Sequence, residues 1–77
     1  ELGAQVYLTA GCGACHALSE AGSTGVVGPD LDRLAPDEAR VAEAVTNGIG
    51  AMPAFSNRLS EQEIAAVAAY VSEAAAP

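Results

Sequence analysis

Lysine and tryptophan are absent from this chain, histidine and methionine occur once each, and cysteine occurs twice. Without lysine, the only cations to set against ten acidic residues are three arginines, and the formal charge is -7. That balance excludes nucleic acid and anionic membrane surfaces as partners and favours a basic one. Two cysteines are too few for a disulfide framework, although a single bond between them is compatible with an oxidising compartment. The longest apolar run, Ile64 to Val71, is far too short to span a bilayer. The chain opens without a charged segment followed by an apolar one, so no targeting segment is read in it, and a removed leader or a fused neighbour is compatible with that.

Bulk is also scarce. Of 39 hydrophobic residues 18 are alanine, and the only aromatics are Tyr7, Phe55 and Tyr70. A single domain over residues 1–77 is at a size where a core made of protein alone is marginal. An Ala-rich core of this kind buries little area against the entropy of ordering the chain. A bulky apolar cofactor would make up the deficit; an ordinary Ala-rich bundle is the alternative.

The pattern is helical. Leu2, Val6 and Ala10 share one face of a short first helix that Gly11 ends. Residues 19–30 hold Gly22, Gly25, Gly28 and Pro29 and read as an irregular loop with no room for a strand. Leu31 to Leu34 read as one helical turn. Pro36 suits a first helical position, Asp37 and Glu38 the first turn, and Asn47-Gly48 the stop of a middle helix. Residues 49–59 read as a second irregular loop with a turn near Phe55. Ser60 and Glu63 form a capping box, and Ile64, Val67, Ala68 and Val71 form the buried stripe of a last helix running to about Glu73. The expected architecture is all-α: three main helices and two long loops.

Cys12-Gly13-Ala14-Cys15-His16 carries the chemistry. A Cys-x-x-Cys-His run presents two thiols for addition to the vinyl groups of haem and an imidazole for its iron. A structural zinc site needs four such ligands and the chain has three, while a thioredoxin-like dithiol belongs in a βαβ setting that is not seen. For the opposite side of the iron, the single histidine and the missing lysine leave Met52, in Ala51-Met52-Pro53-Ala54-Phe55, where Pro53 stiffens the backbone. The other use of a lone methionine is to fill a gap in the core. Leu31, Leu34, Val45, Ile49, Phe55, Leu59, Ile64 and Val67 are the apolar residues expected around the cofactor or between helices. Arg33, Arg40 and Arg58 are candidates to pair its carboxylates or are solvated surface arginines.

With these motifs the sequence resembles the class I c-type cytochromes over nearly its whole length. Gly3 to Tyr7 resembles their first helix, Gly28-Pro29-Asp30-Leu31 the segment beside the histidine, and Met52-Pro53 the distal loop. The stretches Val45 to Gly48, Ala51 to Phe55, Arg58 to Ser60 and Ala68 to Val71 are similar to the small photosynthetic cytochromes that reduce photosystem I. The glycine-proline loop is more similar to bacterial homologues.

The resemblance implies one covalent haem c with iron held by His16 and Met52, and a Pro29 carbonyl that accepts from the outer nitrogen of His16. It implies a one-electron carrier rather than an enzyme, in the periplasm or another extracytoplasmic compartment, serving a respiratory chain. Its redox partners are basic or dock through an apolar patch at the haem edge, with Arg58 at the rim. The rival readings are an electron-entry domain of a larger oxidase or dehydrogenase, and a haem enzyme or gas sensor whose methionine leaves easily. Gly3 and Tyr7 are implied to meet the last helix near Tyr70. Tyr7 stands five residues before Cys12, one more than the family's usual spacing, which leaves that aromatic pairing open.

Overall fold

The computed structural model describes residues 1–76; Pro77, the last residue of the expected domain, lies outside the described residues. Helix α1 (Leu2–Thr9) ends on Ala10, and Gly11 then takes the left-handed conformation at φ 80°. A residue with a Cβ is strained there, so the glycine both stops the helix and turns the chain into the cysteine segment. A short 3₁₀ turn over Cys12–Ala14 follows.

The stretch after His16 departs from expectation. Strands β1 (Ala17–Leu18) and β2 (Ser23–Thr24) pair antiparallel, with Ala17 opposite Thr24 and Leu18 opposite Ser23. The reading that left no room for a strand is therefore corrected. A 3₁₀ turn over Ser19–Ala21 and a left-handed Gly22 fold the chain back on itself, and strands of two residues are too short for alternation to reveal them.

Helix α2 (Leu31–Leu34) is the expected single turn, and its cap Asp30 accepts from the backbone of Asp32 and Arg33. Helix α3 (Glu38–Asn47) begins later than expected. Asp37 is its N-cap, accepting from the Arg40 amide at 2.8 Å, so Pro36 lies outside the helix and is buried rather than holding the first helical position. An aspartate able to satisfy a free amide of the first turn competes for the cap and wins. Helix α4 (Glu61–Ala74) has the full capping box: Glu63 N–H donates to Ser60 Oγ at 3.1 Å and Ser60 N–H donates to Glu63 Oε1 at 2.8 Å. Its buried residues are Ile64, Val67, Ala68 and Val71, the stripe read from periodicity.

Helix α4 packs against both α1 and α3. Where α1 crosses it, a Cβ on Gly3 would lie 2.6 Å from Tyr70 Cβ and would also strike the Ala66 carbonyl. The missing side chain lets the two helices touch. The aromatic pairing left open by the sequence is present: the Tyr7 and Tyr70 rings are 5.8 Å apart at 60°. Tyr7 is fully buried, and its hydroxyl lies 2.9 Å from Ser23 Oγ, which joins α1 to β2. Burial pushes the Tyr7 phenol above its usual range, opposed in part by that hydrogen bond.

Gly3→Ala should force α1 away from α4 at a cost of about 1–3 kcal/mol. Thermal melting of the holoprotein followed by circular dichroism should show a midpoint lower by several degrees. An unchanged midpoint would mean that the seam is not the tight contact described.

Candidate functional site

A cleft opens between the cysteine segment and the loop that follows α3. Two lobes, of about 150 Å³ and about 290 Å³, share Cys12, His16, Pro29, Ile49 and Met52 in their walls. The smaller, inner lobe is walled by apolar side chains of α2, α3 and α4, among them Leu31, Leu34 and the buried Val41, Val45, Val67 and Val71. The larger, outer lobe has the exposed Val27 in its wall, with Ala51, Pro53, Phe55 and Arg58.

His16 is held from behind. Its ring Nδ1 lies 2.8 Å from the Pro29 carbonyl oxygen, so Nδ1–H donates and Nε2 is left as the free lone pair. The Gly28 amide donates to the Cys15 carbonyl at 2.7 Å, which ties the loop to the cysteine segment just before Pro29. A Cβ on Gly28 would sit 2.5 Å from His16 Cε1 and 2.8 Å from Nδ1. The ring therefore fits only because that side chain is missing. Cys12 and Cys15 are each part-buried and are not joined in a disulfide.

Met52 is delivered by a tight turn. Ile49 and Met52 exchange backbone hydrogen bonds at 3.1 and 2.9 Å, with Gly50 left-handed between them. Beyond Pro53, the Phe55 amide donates to the Val45 carbonyl at 2.8 Å, so both ends of the turn are fixed to α3. Arg58 lays its guanidinium 5.6 Å from the centre of the buried Phe55 ring.

Of the positions singled out from sequence, Cys12, His16, Pro29 and Met52 line both lobes, Leu31 the inner one, and Cys15, Phe55 and Arg58 the outer one. Leu34, Val45, Ile49 and Val67 also line the cleft; Leu59 and Ile64 do not, and pack in the helical core instead. Arg40 stands in the inner wall and Arg33 in neither. The sequence reading missed Tyr7, Val41, Val71 and Val27 as wall residues. Val71 sits on the stripe of the last helix read only as core, Val41 recurs with Val45 at i, i+4 in the middle helix, Tyr7 reads only as a contact with the last helix, and nothing in the pattern marks Val27.

Two thiols, one imidazole with a free nitrogen and one thioether thus face an otherwise apolar cleft. Among the described residues no three His, Cys, Asp or Glu side chains gather to hold a bare ion. The donors suit instead a large flat apolar group carrying its own metal, with soft and imidazole ligands for iron.

The comparisons agree with this geometry. The family model described as cytochrome c oxidase, cbb3-type, subunit III matches residues 1–71. Cytochrome c6 of Picosynechococcus is 44% identical over 95% of this chain and 71% of its own, and cytochrome c6 of Diacronema lutheri is 42% identical over 90% and 88%. The crystal structure of the c-type cytochrome SorU from Sinorhizobium meliloti superposes with a TM-score of 0.91 at 51% identity, covering 96% of this chain and 87% of that one. The chain belongs to the c-type cytochrome family. As a c-type cytochrome it carries covalently bound haem c with its iron, and it is an electron carrier rather than an enzyme. Redox proteins are its partners, and among the described residues no helix is long and apolar enough to cross a membrane.

Because the His16 ring fills the space beside Gly28, Gly28→Ala should rotate or displace the imidazole. The expected outcome is a lower yield of holoprotein and a changed visible spectrum in what is recovered. Wild-type yield and spectrum together would show that the loop yields to the extra methyl.

Proposed function

We propose that Cys12 and Cys15 would hold haem c through two thioether bonds, that His16 Nε2 and the Met52 sulfur would ligate its iron, and that electrons pass at the outer lobe. The observation that carries this reading is the single cleft whose walls hold His16 and Met52 together, with the imidazole fixed through its other nitrogen. Haem held in this way supplies reversible one-electron transfer at iron. The chain's part is to fix the imidazole, deliver a soft sulfur that favours the reduced state, and exclude water from the inner lobe.

The docking face is the outer mouth. Val27 and Ile49 are each 71% exposed there, against the ordinary preference of such side chains, with Ala51 and Pro53 beside them. Arg58 is the one charged side chain in that wall, on Phe55. A small apolar contact suits a transient redox complex, and the net charge of -7 favours a partner with basic groups around that contact. The proposal also places the carrier in the periplasm or another extracytoplasmic compartment, free or tethered through a neighbouring segment. The name of the matching family model supports a respiratory chain. It also favours a second reading, in which this domain is the electron entry of a larger oxidase.

Met52→Ala should open one axial position. The absorption band of iron-thioether bonding should vanish, the potential should fall, and ferrous protein should bind carbon monoxide at neutral pH. Persistence of the band would remove Met52 from the iron.

The charge makes its own prediction. Electron exchange with small cationic reagents should slow as salt is added and exchange with anionic reagents should quicken, because the Debye length shortens to about 10 Å at 0.1 M. Rates insensitive to salt would show that the acidic field does not reach the mouth and would sink the basic-partner reading.

A further inference from the structure

The segment from Ala17 to Pro29 is a strap over the backbone that carries the cysteines. Its first fastening is Ser19, whose amide and hydroxyl both donate to Asp32 Oδ2, at 2.8 and 2.7 Å. Its second is Ser23, which meets the Tyr7 hydroxyl. Its third is Gly25. A Cβ there would lie 2.6 Å from the Cys15 carbonyl carbon and 2.7 Å from both the carbonyl carbon and oxygen of Ala14. All three obstacles are main-chain atoms inside the Cys-x-x-Cys-His run, so no side chain can swing aside to admit a methyl group. Three residues on, the Gly28 amide donates to the Cys15 carbonyl, and the carbonyl of the following residue, Pro29, accepts from His16.

We infer that Gly25 is a positioning residue for electron transfer: by letting the strap lie directly on the Ala14–Cys15 peptide, it sets the Pro29 carbonyl against His16 Nδ1 and so helps to fix the reduction potential. The inference rests on His16 being an iron ligand, as proposed above. The atoms nearest a side chain at Gly25 are all backbone. A methyl at this position lifts the strap, and because the next fastening is only three residues away, Gly28 moves with it and carries Pro29 and its carbonyl along. The Nδ1–H···O bond then lengthens. An imidazole whose outer proton is less firmly accepted is a weaker electron donor, which disfavours ferric iron more than ferrous iron. The sign is thus fixed: loosening the strap raises the potential.

The test is a redox titration of Gly25→Ala holoprotein beside the wild type and Gly3→Ala, with proton NMR of the hyperfine-shifted histidine ring. Gly3→Ala disturbs the α1–α4 seam and should lower the melting temperature while leaving the potential unchanged. Gly25→Ala should shift the oxidised-to-reduced equilibrium threefold to tenfold toward the reduced form, up to about 59 mV for one electron, and should move the Nδ1 proton resonance. If Gly25→Ala fails to take up haem, Ser19→Ala is the milder variant. It removes one of the two bonds that fasten the start of the strap and should shift potential and resonance in the same direction by less. A Gly25→Ala or Ser19→Ala protein that is destabilised yet keeps the wild-type potential and histidine resonances overturns the inference. Absence of hyperfine-shifted histidine resonances from the wild type would instead overturn the ligand reading on which it rests.

Discussion

The hydrogen bond from His16 Nδ1 to the Pro29 carbonyl is the interaction on which the site depends. A ring nitrogen held at 2.8 Å by a main-chain carbonyl has its tautomer fixed, so the other nitrogen is always the one with the lone pair. The strap that brings the carbonyl there is short, and Leu18, fully buried, anchors its start in the core. The rest is held by polar fastenings and close backbone approach: Ser19 on Asp32, Ser23 on Tyr7, Gly25 on the Ala14–Cys15 peptide, and the Gly28 amide on Cys15. Fastenings of this kind resist small displacements strongly, because hydrogen bonds weaken steeply with geometry and backbone atoms cannot repack. That stiffness suits a carrier that must change charge without rearranging.

Stiffness on the histidine side is matched on the methionine side by different means. The turn Ile49 to Met52 is closed by its own pair of hydrogen bonds and tied to α3 through Phe55. Helix α3 is in turn braced on α4, and α4 on α1, where Gly3 allows direct contact. Both halves of the cleft thus trace back to one helix, α4, whose buried Val67 and Val71 also form the inner wall. A change at the α1–α4 seam is expected to be felt as stability, and a change in the strap as potential, because the strap supplies the hydrogen bond to the histidine ring.

Most of the helical frame was legible because its signals are local. Ser60 and Glu63 announce the start of α4, Gly11 and Gly48 the ends of α1 and α3, and the stripe from Ile64 to Val71 names its own buried face. The candidate site residues stood out for a different reason: Cys12, Cys15, His16 and Met52, which line one cleft, are too few and too specific to have many alternative uses. What escaped was set by tertiary contact. The β1–β2 pair is too short to show alternation, and Asp37 displaced Pro36 from the first helical position through a single cap bond. Tyr7 pairs with Tyr70 despite the extra residue before Cys12, because Ala10 and the left-handed Gly11 take up the added length outside the helix. The need for glycine at 25 and 28 depends on atoms that are close in space and distant in pattern.

The distribution of charge completes the argument. All ten acidic side chains lie off the cleft, whose walls hold only Arg40 and Arg58 as charged groups. On the proposed docking face, a molecule with a net charge of -7 would therefore present a mouth without acidic side chains to its partner. Acidic side chains in that mouth would repel the added electron and raise the cost of desolvation on docking, whereas placing them on the outer surface keeps the long-range field and removes both penalties. Steering and contact are thus separated in space. The acids act at distances comparable with the Debye length, about 10 Å at 0.1 M salt, and the exposed valine and isoleucine act only on contact. An interface divided in this way forms quickly and releases quickly, since the term that accelerates encounter adds little to the contact that must break.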